Sequence, residues 1–100
     1  MIFITQLVYL NEGQEKIFEE FESVAIPLIS KYNGKLLLRL RPSADDVIAC
    51  EGEQPYEVHI VQFATEADFQ NFGKDESRKQ FLHLKEKSVR SALLFKGAKV

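Results

Sequence analysis

Apolar residues in the first ten positions fall into two alternating sets. Ile2, Ile4, Val8 and Leu10 lie on one side, and Phe3, Leu7 and Tyr9 on the other. This period of two predicts a strand over Ile2–Leu10, and apolar residues on both sides call for cover on both faces. Asn11-Glu12-Gly13 supplies turn chemistry. From Gln14 to Tyr32 the period becomes helical, with Ile17, Phe21, Val24 and Leu28 recurring and Phe18, Ala25 and Ile29 widening the stripe. Glu15, Glu19, Glu20 and Glu22 read as lying mostly outside that stripe. Pro27 has no N–H to offer the carbonyl of Ser23, which predicts a kink or break, and Asn33-Gly34 predicts the stop.

Lys35–Arg41 follows as a second strand, with Leu36, Leu38 and Leu40 on one face and Leu37, Arg39 and Arg41 on the other. Pro42 ends it, and Val47–Cys50 offers a short extra strand within the long connection that follows. Tyr56–Phe63 is a third strand, with Tyr56, Val58 and Ile60 opposite His59, Val61 and Phe63. Thr65-Glu66-Ala67-Asp68 has the form of an acidic capping box opening a short helix to Phe72. Asp75 caps a further helical piece to Lys87 that buries Phe81, Leu82 and Leu84, and Val89–Lys96 closes the series as a strand.

The order β-α-β-β-α-β with right-handed crossovers predicts one α+β domain spanning residues 1–100. Its form is a ferredoxin-like sandwich whose four-stranded antiparallel sheet is ordered 4-1-3-2 and carries both helical segments on one face. The helix-free face would then present Phe3, Leu7, Tyr9, Leu37, Val61, Phe63, Leu93 and Phe95. An apolar patch of that size marks an interface or a ligand groove, and a homodimer through this face is the expected assembly.

Charge narrows the partners. Thirteen basic and fifteen acidic residues give a net charge of −2, without the basic excess that nucleic-acid binding draws on. Residues 1–73 carry five basic and twelve acidic groups and the remainder eight and three, which suits an acidic first helix beside a basic later one. No apolar run approaches the roughly 18–20 residues that span a bilayer, and the amino-terminal stretch lacks the basic region and cleavage site of a signal peptide. Cys50 is the sole cysteine, which excludes an intrachain disulfide and fits a reducing cytoplasm.

The run Ala25-Ile26-Pro27-Leu28-Ile29-Ser30-Lys31-Tyr32-Asn33-Gly34-Lys35-Leu36-Leu37-Leu38-Arg39, then Glu51-Gly52, Pro55 and the strand Val58–Phe63, carries a further signal. Together these segments resemble the small bacterial domain-of-unknown-function family thirteen-thirty, part of the dimeric α/β-barrel superfamily. The resemblance implies two subunits with sheets face to face around a barrel-like cavity. Superfamily relatives include cofactor-independent monooxygenases, haem-degrading enzymes, lactone isomerases and haem peroxidases, whereas this family has no established reaction. The family often opens its later helix with Ser-x-Glu-Tyr, where this chain has Asp75-Glu76-Ser77-Arg78, so no role of that tyrosine carries over.

The candidate chemistry centres on His59 and Arg39. If Arg39 pairs opposite His59, both side chains emerge on one face at roughly 4.5–5.5 Å between Cβ atoms. Arginine could then hold an oxyanion while histidine moves a proton, and the alternative is a structural polar pair. Glu51, where the resemblance places an acid, is a candidate orienter or counter-ion, and Tyr9 a candidate hydrogen-bonding residue. His83 sits among charged helical positions as a surface residue, Cys50 has no motif partner, and two separated histidines make no metal or haem site. The expected function is binding or transformation of a small anionic or carbonyl-containing organic molecule in a cavity between the sheets, without metal or cofactor. The alternative is a non-catalytic structural or regulatory homodimer.

Overall fold

The alternating run at the start of the chain forms β1 (Ile2–Leu10) in a computed structural model that describes residues 1–100. The amphipathic stretch after it forms α1 (Glu15–Leu28), which gives way to a 3-10 turn at Ile29–Tyr32 just beyond Pro27. Asn33, at φ 57°, ends the turn in the left-handed region. Gly34 then starts β2 (Gly34–Leu40) where no side chain fits. A Cβ there would come within 2.7 Å of both Ile29 and Phe63.

The chain continues through β3 (Glu57–Phe63), α2 (Glu66–Gly73), α3 (Glu76–Gln80), α4 (Leu82–Ser88) and β4 (Val89–Gly97). The sheet order is β2-β3-β1-β4 and every pairing is antiparallel, the expected ferredoxin-like α+β arrangement. Thr65 Oγ1 accepts from the Asp68 N–H at 3.1 Å and so caps α2. Asp75 Oδ1 accepts from the Arg78 N–H at 3.0 Å to cap α3. The other Asp75 oxygen accepts from the Tyr32 hydroxyl and, at 3.3 Å, from Lys31, tying α3 to the turn after α1. Hydrogen bonds from Tyr32 and the Arg78 N–H hold the Asp75 carboxyl down at about 2. No helix is long and apolar enough to cross a membrane.

The core lies between the helices and one sheet face. Ile4, Ile29 and Phe63 form one buried cluster, and Phe21, Ala25 and Leu84 a second where α1 meets α4. The register assigns the faces. Ile4 pairs with Val61 and with Lys96, so even positions of β1 and β4 and odd positions of β3 meet the helices.

Four expectations are corrected by this arrangement. Val61 and Phe63 lie beneath the helices rather than on the open face, where β3 instead presents Val58 and Ile60. A bulge at Leu37 breaks the parity of β2, so Leu36 joins Arg39 on the helix side while Leu38 and Leu40 join the open face. Val47–Cys50 forms no strand. Ser43 and Asp46 bond each other across a 3-10 turn at Ala44–Asp46, a local alternative to sheet pairing, and Ile48 is fully exposed. The last helical piece is interrupted at Phe81, whose ψ of 7° separates α3 from α4.

Candidate functional site

Glu57 and His59 stand two residues apart on β3, which puts both side chains on one face, and here that face is the buried one. Glu57 has no solvent exposure and His59 retains 5%. A buried carboxylate needs partners, and Glu57 has three. The His59 Nε2–H donates to Glu57 Oε2, Arg41 Nε donates to Oε1 at 2.7 Å, and Arg39 Nε lies 3.1 Å from Oε2. The Arg39 contact is an ion pair without hydrogen-bond alignment. Arg39 and Arg41 also share Glu19 of α1, which accepts from Arg39 Nη2 at 3.1 Å. Burial alone would push the Glu57 carboxyl up. The hydrogen bonds and charges of His59, Arg39 and Arg41 outweigh it and hold it at about 2. Glu57 is therefore a fixed anion, and its bond assigns the ring proton to Nε2 and leaves Nδ1 as the basic nitrogen in neutral His59.

His59 also borders a cavity of about 270 Å³ between the helices and the sheet. Its walls are mainly apolar, with Ile4, Phe18, Leu36, Val61, Phe63 and Phe69 among them. A dry cavity of about 150 Å³ holds benzene, so this one suits a ring with a short chain. The polar groups on its boundary are Gln6, Glu22, His59, Gln70, Arg78 and Lys85. Glu22 approaches from α1, and its carboxylate, an imidazole nitrogen of His59 and the Glu57 carboxylate lie within 4.8 Å of one another. Burial, reinforced by Glu57, raises the Glu22 carboxyl above its ordinary value, although His59, Arg39 and Lys85 pull the other way. Two carboxylates thus flank one histidine with their acidities driven apart, a pattern that separates a fixed charge from a proton carrier. The trio fits a proton relay better than a divalent cation, because both Glu57 oxygens are engaged by cations and Arg78 and Lys85 add positive charge nearby.

Arg39 pairs with His59 in register, as the sequence suggested. Two of the expected ligand residues lie elsewhere. Glu51 is exposed in the loop before β3 and forms no contact with Arg39, because Glu57 and Glu19 occupy the guanidinium. Tyr9 pairs with Ser91 and projects from the open sheet face, opposite His59. Arg39 itself does not border the cavity. Its guanidinium is directed to Glu19 and Glu57, and the pocket that His59 enters lies under the helices rather than between two sheets.

Sequence reasoning missed Glu57, Glu22, Arg78 and Lys85. For two of them the signal was present: Glu57 shares its face with Val61 and Phe63, and Glu22 follows Phe18 by four residues and precedes Ala25 by three.

No family model matches the chain, and no curated protein matches it in sequence. Solved structures do match it in fold. A protein of unknown function from Rhodopseudomonas palustris, RPA0582, superposes with a TM-score of 0.84 at 15% identity, covering 99% of this chain and 82% of that one. A dimeric protein of unknown function with a ferredoxin-like fold, from Bacteroides fragilis, gives 0.69 at 11% identity over 96% and 93%. A protein from Nitrosomonas europaea, provisionally named an antibiotic biosynthesis monooxygenase, gives 0.74 at 12% identity over 100% and 99%. The chain therefore has the ferredoxin-like α+β fold shared by these proteins.

Proposed function

We propose that the protein binds a small carbonyl-containing organic molecule in the cavity beneath its helices and moves a proton on it. The observation that carries this reading is His59, fixed by the buried Glu57 at one ring edge and bordering an apolar cavity with the other side chains named above. In the reaction, Nδ1 of His59 accepts a proton from a carbon next to the substrate carbonyl. Glu57 stabilises the imidazolium that forms, and protonated Glu22 donates its own proton to the enolate oxygen; once the imidazolium proton has exchanged with solvent, both transfers reverse and restore His59 and Glu22. Arg39 and Arg41 act through Glu57 by keeping it ionised, which keeps for Arg39 a supporting part in the site rather than contact with substrate.

We further infer membership of the family thirteen-thirty type and a homodimer through the open sheet face. There Leu93 is 48% and Phe95 59% exposed within one protomer, and a structural neighbour is dimeric. A lone exposed Cys50 suits a reducing cytoplasm. A purely structural homodimer would use only that face and would leave the cavity and its buried proton carriers without a role.

The test uses 4-phenylbutan-2-one, a neutral ring-and-chain ketone, in heavy water, with loss of its α-proton signals followed by NMR. Wild-type protein should accelerate the exchange, and His59→Gln should lower the acceleration by about 100-fold or more while keeping the fold. Equal exchange by the two proteins, or none above buffer, would reject the catalytic reading.

A further inference from the structure

The cavity is bordered by two cations that no carboxylate neutralises by contact. Arg78 of α3 and Lys85 of α4 both line it, and neither takes part in an ion pair. The Arg78 guanidinium is held between two aromatic faces, 5.7 Å from the Phe21 ring centre and 5.3 Å from that of Phe72. Its Nη1 donates weakly to the Gly73 carbonyl at 3.4 Å, and its Nε–H is buried with no acceptor. A buried, unpaired guanidinium donor is costly to leave unmet, so a missing acceptor is the simplest account of it. Burial pushes the pKa of both Arg78 and Lys85 down, and repulsion from Arg78 lowers that of Lys85 further. The charged groups facing them are Glu22 across the cavity and Asp75 at the start of α3. Asp75 spends its oxygens on the Arg78 backbone, Tyr32 and Lys31.

We propose that Arg78 and Lys85 form a carboxylate-recognition site, so that the ligand of this cavity is an organic acid whose apolar body lies against Phe18, Val61 and Phe69. The inference rests on the reading of the cavity as a binding site and deepens it by naming the ligand class. A carboxylate matches the planar donor fork of Arg78, supplies the acceptor its Nε–H lacks, and separates two like charges.

Two probes of one skeleton isolate the acid group. 3-Phenylpropanoate carries an oxygen anion where 4-phenylbutan-2-one carries a methyl group. NMR titration of wild-type protein at neutral pH should show the acid binding about tenfold or more tighter than the ketone. Lys85→Met retains the apolar stem, and Arg78→Lys retains a charge without the fork. Each should reduce acid affinity severalfold and ketone affinity by a clearly smaller factor, so that the preference for the acid falls. The preference should also shrink as salt is raised, a readout that needs no variant. Equal binding of the two probes, or a preference that survives both substitutions and high salt, would overturn the assignment. Loss of ketone exchange with acid binding intact would instead reject proton transfer and leave this site standing.

Discussion

Replacing Glu57 by glutamine perturbs the one fully buried anion that joins Arg39, Arg41 and His59. Glutamine keeps the shape and one acceptor oxygen, yet it removes the charge that compensates the half-buried Arg39 and the more exposed Arg41. Breaking a buried pair by removing one partner costs about 3–5 kcal/mol, and the glutamine carbonyl returns part of that. A second route gives a similar figure. A carboxyl held at about 2 instead of its ordinary 4.5 contributes on the order of 3 kcal/mol to folding. Because this folded value is depressed, the contribution is fully present above about pH 4.5 and is lost as pH falls through about 2. Urea unfolding at fixed protein concentration should place the variant about 2–3 kcal/mol below wild type at pH 7, with the gap closing toward pH 2. Two curves that differ by less than about 0.5 kcal/mol at pH 7, or that run parallel down to pH 2, would refute the reasoning.

Gly34→Ala forces a Cβ to 2.7 Å from Ile29 and Phe63 and should lower stability by about 1–3 kcal/mol, read as a fall in melting temperature of roughly 5–20 °C. Glu22 has a raised folded value, so its ionisation opposes folding as pH rises past the unfolded value. Glu22→Gln should therefore be more stable than wild type at neutral pH and above, while losing ketone exchange. Phe95→Glu puts a charge in the open apolar face and should halve the mass measured by light scattering without changing ketone exchange.

The element order and sheet order were legible because the periods of two and 3.6 alternate cleanly and Pro27, Asn33-Gly34 and Asp75 mark the breaks. The faces of β1 and β4 were legible too, since Phe3, Leu7, Tyr9, Leu93 and Phe95 lie on the open side as expected. The face of β3 was not, because it places Glu57 and His59 on its buried side beside Val61 and Phe63. The bulge at Leu37 adds a parity shift that has no sequence mark in a run of three leucines. The Arg39–His59 pairing held because the two strands were placed as antiparallel neighbours within a residue of their observed bounds. Arg78 and Lys85 carry no mark in the sequence, since only the packing of α3 and α4 over the sheet brings them to a common cavity.

The central claim is that the working surface lies under the helices with His59 at its polar end, rather than on the open sheet face. Chemical-shift mapping of the side chains during titration with 4-phenylbutan-2-one tests it most directly. The account predicts changes concentrated at His59, Phe18, Val61 and Phe69, with the His59 ring in the Nε2–H form before ligand is added. Changes concentrated at Phe3, Ile60 and Phe95, with His59 unmoved, would contradict it.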